Sequence, residues 1–103
     1  MYGSTGQAIF AFGEISGSVT AISNLCSNTG VVSSDVSAVG TARMYGAMSA
    51  YGGDKAIFAF GTDSSSKLNV SNKINNVGTV ASDTSGVGTA RSGLAALGYS
   101  LSA

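Results

Sequence analysis

The sequence predicts an all-β fold, a β-propeller with two four-stranded blades per chain. Three observations carry that expectation. The 103-residue text repeats itself at a spacing of 48 positions, from Gly13 to Gly61. Each unit holds four short strand candidates parted by Gly, Ser and Asn turns. The strand that opens each unit, AIFAF, is apolar at every position, as expected of a strand covered on both faces. The same shift aligns Ser23 and Asn24 with Ser71 and Asn72, Asp35 with Asp83, VGTAR at 39–43 with VGTAR at 87–91, and Tyr51 with Tyr99. Repeat 1 covers approximately residues 7–54 and repeat 2 approximately 55–103, within a single domain of residues 1–103. A unit of this length lies in the size range of propeller blades.

The elements follow in order. AIFAF ends at a glycine in both copies and reads as a β-rich run. The polar stretches GEISGS and GTDSSSK turn the chain. A second strand follows around residues 19–25 and 68–74. The Asn/Gly turns SNTG and NNVG come next, then GVVSS and GTVAS as the start of a third strand. After the turns DVSAVG and DTSGVG stands a fourth candidate, TARMYGAMSAY in one copy and TARSGLAALGY in the other. Its Ala, Leu and Met favour helix on propensity, but Gly93 and Gly98 interrupt it and its small residues suit the crowded inner strand of a blade. We read it as a strand. A helix there would make a βββα unit, the main structural rival.

The stretch ARMYGAMSAYGGDKAIFAFG resembles a kelch unit, with Arg43, the pair Gly52 and Gly53, and residues 56–61 in the kelch order. The family's Trp and its accompanying Tyr have no counterpart in the third and fourth strands, so the resemblance is to a kelch-like relative. SNTGVVSSDVSAVGTAR is similar to repeat arrays in structural proteins of tailed bacteriophages, notably those of marine cyanobacteria. That resemblance implies a virion-associated β-propeller, placed in a virion or host cytoplasm, and supplies no catalytic residues.

Propellers close with roughly four to eight blades, and a repeat unit does not bury its faces alone. The sequence therefore leads us to expect a cyclic homo-oligomer with a head-to-tail interface that closes. Three chains, giving a ring of about six blades, are favoured within the usual range. The strand order along the chain reads b-c-d, a-b-c-d, a. Each C-terminal strand is expected to complete the first blade of the next subunit. Tyr2 is expected to take the place of Tyr51 and Tyr99 in the first blade, one residue out of register.

Six residues at equivalent positions are candidate ligand or structural sites. Asp35 and Asp83 sit in SDxS turns, where Asp ordinarily bonds nearby backbone N–H groups and where a ring of carboxylates would hold a cation or a sugar hydroxyl. Arg43 and Arg91 open the inner strand. Arg suits anionic ligands, but a buried Arg needs a partner, and the aspartate of the preceding turn is the expected one. Tyr51 and Tyr99 present a polar tip on an apolar body, fitting blade packing first and sugar contact second.

Composition narrows the function. The chain contains no His, so it lacks an imidazole base and a Ser-His pair. Its acids, Glu14, Asp35, Asp54, Asp63 and Asp83, stand singly, and the glycine-rich stretches lack the lysine of a phosphate loop. No enzyme, cofactor or metal site is expected. Cys26 aligns with Ile74 and reads as a small core residue with no disulfide partner. Five basic and five acidic residues cancel and no basic cluster exists, which argues against nucleic acid. No apolar run approaches the ~18 residues of a membrane span, and residues 1–7 lack the features of a signal peptide. The expectation is a structural or interaction module whose partner is itself. Its outside ligand is a glycan or another protein, and a lectin-like propeller is the alternative.

Overall fold

The structure is a computed structural model that describes residues 6–99. It is all-β: five strands in two sheets, with no helix among the described residues. The βββα alternative is thereby excluded. Tyr2, and the end of repeat 2 at residues 100–103, lie outside the described residues.

Strand β1 (Ala8–Ile15) pairs antiparallel with β2 (Ser18–Cys26). Their connection is the two-residue turn Ser16–Gly17, with φ of 48° and 86°. Two consecutive left-handed residues match the twist of a tight hairpin, so the turn expected over GEISGS shrinks to two residues and both strands lengthen. The second sheet runs β3 (Ala47–Tyr51), β4 (Lys55–Ala59), β5 (Ser71–Ile74), all antiparallel neighbours. The repeat is visible in the register: Phe10 faces Asn24 as Phe58 faces Asn72, and Ala8 faces Cys26 as Ala56 faces Ile74.

The third strand of each unit is reduced to isolated bridges. Val32 and Val36 bridge to Cys26 and Ser23, and Val80 and Thr84 bridge to Ile74 and Ser71. This edge has a neighbour on one side only, and its Gly- and Ser-rich text has few side chains to pack. The fourth candidate forms β3 in the first copy. Its second copy, within residues 89–99, forms no strand among the described residues.

The core lies between the two sheets. Ile9, Ala56, Ile74 and Val80 are buried together, and Phe12, Leu25, Val39 and Met48 pack against them. The expectation that AIFAF is covered on both faces is met in part: in the second copy Ala56 and Phe58 are buried while Ile57 and Ala59 on the other face are half-buried, and in the first copy only Ile9 is buried. Phe58 is 6% exposed, whereas its equivalent Phe10 is 59% exposed. The difference is tertiary: β4 has β3 on one edge, β5 on the other and the first sheet against it. Among the described strands, β1 pairs with β2 alone.

Each AIFAFG ends in a bulge. Phe12 and Gly13 have φ of 65° and 114°, and Phe60 and Gly61 have 67° and 106°. The ladder of β1 and β2 slips between Ala11 and Gly13. A bulge re-aims a side chain, and here it stacks Phe12 on Phe58 across the sheets, with ring centroids 4.3 Å apart. Left-handed Phe costs about 1–2 kcal/mol, so the stack offsets a local strain.

The two bulge glycines differ in surroundings. A Cβ on Gly61 would lie 2.7 Å from Met44 O and 3.1 Å from Gly46 N, while a Cβ on Gly13 would meet nothing within 4 Å. Gly13→Ala is expected to cost about 1–2 kcal/mol for the left-handed backbone. Gly61→Ala adds about 1–3 kcal/mol for forcing the first residues of the inner strand away. Urea midpoints of the two variants check the gap, and equal losses would contradict it.

Candidate functional site

After Val39 the chain leaves the first sheet and starts the second, and Arg43 holds the crossing. Its main chain belongs to the first sheet, since Gly13 N donates to Arg43 O at 2.9 Å. Its side chain, fully buried, reaches across the second. Nε donates to Phe60 O at 2.9 Å and Nη1 to Thr41 O at 2.9 Å. Nη2 donates to Asn72 Oδ1 and, at 3.5 Å, to Phe58 O. The guanidinium carbon lies 4.5 Å from the Phe12 ring centroid and 4.8 Å from that of Phe58. A buried cation needs such acceptors and ring faces in place of water.

Asn72 passes the link on. It is fully buried on β5, and its Nδ2 donates to Ala81 O at 3.0 Å and to Asp83 Oδ1 at 2.9 Å. Asp83 also accepts from Thr41 N at 3.0 Å and from Thr41 Oγ1. Arg43 Nη1 stands 4.0 Å from Asp83 Oδ1, so the charges couple mainly through Asn72. The chain Arg43–Asn72–Asp83–Thr41 thus spans the second sheet from inner strand to outer edge.

Burial works to raise the Asp83 carboxyl, but the Thr41 and Asn72 hydrogen bonds and the Arg43 charge outweigh it and hold it below the ordinary carboxylate value. Burial pulls Arg43 down, opposed by the Asp83 charge. A carboxylate depressed in the folded state contributes stability above its unfolded pKa and loses it as pH falls through the folded value. Stability is therefore expected to hold at neutral pH and to fall below the ordinary carboxylate range, with a shallower slope in Asp83→Asn. Urea midpoints against pH test this, and an unchanged acid slope in the variant would count against it.

The sequence-selected residues fall into three groups. Arg43 and Asp83 come together, so Arg43 is matched to Asp83 and not to Asp35 of the turn before it. Asp83 takes its hydrogen bonds from Thr41 and Asn72, far along the chain, where local turn chemistry was expected. Asp63 makes the local pattern instead: its Oδ1 accepts from Ser65 N and Ser66 N at 3.0 and 2.8 Å. Asp35 and Arg91 remain apart from each other. Asp35 accepts from Asn24 Nδ2 at 2.8 Å, and exposed Arg91 lies 3.9 Å over the Phe60 ring. Tyr51 and Tyr99 line one groove of about 290 Å³ with Ser49, Ile57 and Leu97, and Tyr99 is 81% exposed.

Thr41, Asn72 and the Phe12–Phe58 stack were not singled out from sequence. A signal was available: Asn24 and Asn72 recur at one register position in the middle of a strand, where a polar side chain needs a partner. No family model matches the chain, and the curated proteins contain no match to it.

Proposed function

We propose that this chain is a non-enzymatic scaffold that assembles with copies of itself into a kelch-like β-propeller, three chains to a six-bladed ring, serving as a structural module of a virion. One observation carries the reading. The two sheets repeat one register, yet among the described residues the second has an inner strand, supplied by the end of the first repeat, and a filled polar link, and the first has neither. An array of equivalent units completes each sheet with the unit before it, and a ring does so for all of them. Exposed Phe10, Val31 and Val32 give the first sheet an apolar surface of the kind that drives association.

The test is mass in solution. Sedimentation equilibrium is expected to give three times the 10.1 kDa chain mass at micromolar concentration. A monomer that keeps its β circular dichroism at that concentration would sink the proposal. Carbohydrate binding is the second reading, supported by the exposed Tyr51 and Tyr99 on one groove. A glycan array without signal above background removes it.

A further inference from the structure

We infer that the face formed by Phe10, Asn24 and Asp35 is a receptor for the Thr89-Ala90-Arg91 segment of a second copy of this chain. The inference rests on the self-assembly proposed above and names the contact that would drive it.

The occupied version of the site is inside the molecule. In the second sheet Asn72 Nδ2 donates to Ala81 O and Asp83 Oδ1 at 3.0 and 2.9 Å. In the first sheet Asn24 Nδ2 makes the same two bonds, to Ser33 O at 3.1 Å and Asp35 Oδ1 at 2.8 Å. Asn72 Oδ1 then accepts from Arg43, and Asp83 from Thr41. Among the described residues, Asn24 Oδ1 and Asp35 Oδ2 receive no such donor. Phe10, at the position of Phe58, turns an open ring to solvent.

The missing half stands at the other end of the chain. Arg91 Nη1 donates to Thr89 O at 3.0 Å, as Arg43 Nη1 does to Thr41 O. Gly61 N donates to Arg91 O at 2.8 Å, as Gly13 N does to Arg43 O. Arg91 rests on Phe60, the equivalent of Phe12. Its Nε and Nη2 have no acceptor among the described residues, whereas the same atoms of Arg43 are filled by the following sheet. The space around Gly40 and Gly88 agrees. A Cβ on Gly40 would strike Asn72 and Asp83 at 2.5 and 2.7 Å, while one on Gly88 would meet only Phe60, at 4.0 Å. Donor and receptor are thus preformed, opposite in charge, and of the same chemistry as the internal pair.

The equivalence stops soon after Arg91. Leu94 stands where Gly46 does, and a Cβ on Gly46 would come within 2.6 Å of the Phe58 ring and 2.8 Å of Ala59 O. A docked segment must diverge there, so the assignment covers Thr89, Ala90 and Arg91 alone.

The full chain is used for the test. Arg91→Ala and Asp35→Ala are each expected to weaken association about 30-fold or more, the scale of truncating one partner of a hydrogen-bonded charge pair, with circular dichroism unchanged. In a Cys26→Ser background, Thr89→Cys chains mixed with Asp35→Cys chains should give a covalent heterodimer on mild oxidation. Thr41→Cys with Asp83→Cys in one chain is the positive control, because it closes the internal counterpart. Wild-type association that is indifferent to Arg91→Ala and yields no 89–35 disulfide overturns this contact and leaves self-assembly standing. A folded chain that stays monomeric at micromolar concentration, leaving the receptor to a different protein, overturns both.

Discussion

Arg43→Ala is expected to lower the free energy of unfolding by about 3–5 kcal/mol, the range for removing one partner from a buried ionic link. The deletion leaves Phe60 O, Thr41 O and Asn72 Oδ1 without their donor and opens a void beside two stacked rings. A domain of this size is held by roughly 5–15 kcal/mol in total, so the variant stands near the edge of folding. Arg43→Lys keeps the charge but not the fork that serves four acceptors at once, and is expected to recover only part of the loss. Asn72→Leu should be of similar severity, since it strands the buried cation from Asp83. Urea titration followed by circular dichroism measures all three. A loss below about 1 kcal/mol for Arg43→Ala, the level of an ordinary surface change, would mean that the link does not hold the sheets.

The second large effect separates two residues with identical sequence neighbours. Phe58→Ala should cost about 3–5 kcal/mol as a large-to-small change in a packed site. Phe10→Ala should stay within about 0.5 kcal/mol in the dilute monomer, as surface substitutions do. Both rings sit in AIFAFG and both face an asparagine on the next strand. They differ in what covers them: Phe58 packs on Phe12 and Arg43, and Phe10 lies open. Thermal or urea midpoints at low protein concentration give the comparison. Equal losses would mean that the open face of the first sheet is already closed within one chain.

That pair also shows where sequence reading ends. The repeat spacing, the strand that opens each unit, the hairpin partner and the shared register are all legible, because they depend on local pattern and on the match between copies. Burial of Phe10 is not legible. Its six-residue context is the same as that of Phe58, and only the neighbouring sheet distinguishes them. Val31, Val32 and Thr79, Val80 suggest a strand at the outer edge, but a segment with one partner and little side-chain mass yields bridges alone. Sequence proximity points to Asp35 of the preceding turn as the partner of Arg43. The chain changes sheets between Val39 and Met44, and this places Asp83, 40 positions away, within reach instead. The repeated mid-strand Asn, Asn24 and Asn72, is the residue type that signals such a link.

Arg43 has a further consequence, for cooperativity. Repeat proteins often behave as a sum of unit stabilities and neighbour terms, and can lose their units one at a time. Here one residue gives its backbone to one unit and its side chain to the other. If either unit melts, the other loses bonds that it makes to Arg43: Gly13 N its acceptor in the first, Phe60 O and Asn72 Oδ1 their donor in the second. The two halves of the duplication are therefore expected to share a single transition, the polypeptide unfolding as one body despite being written twice.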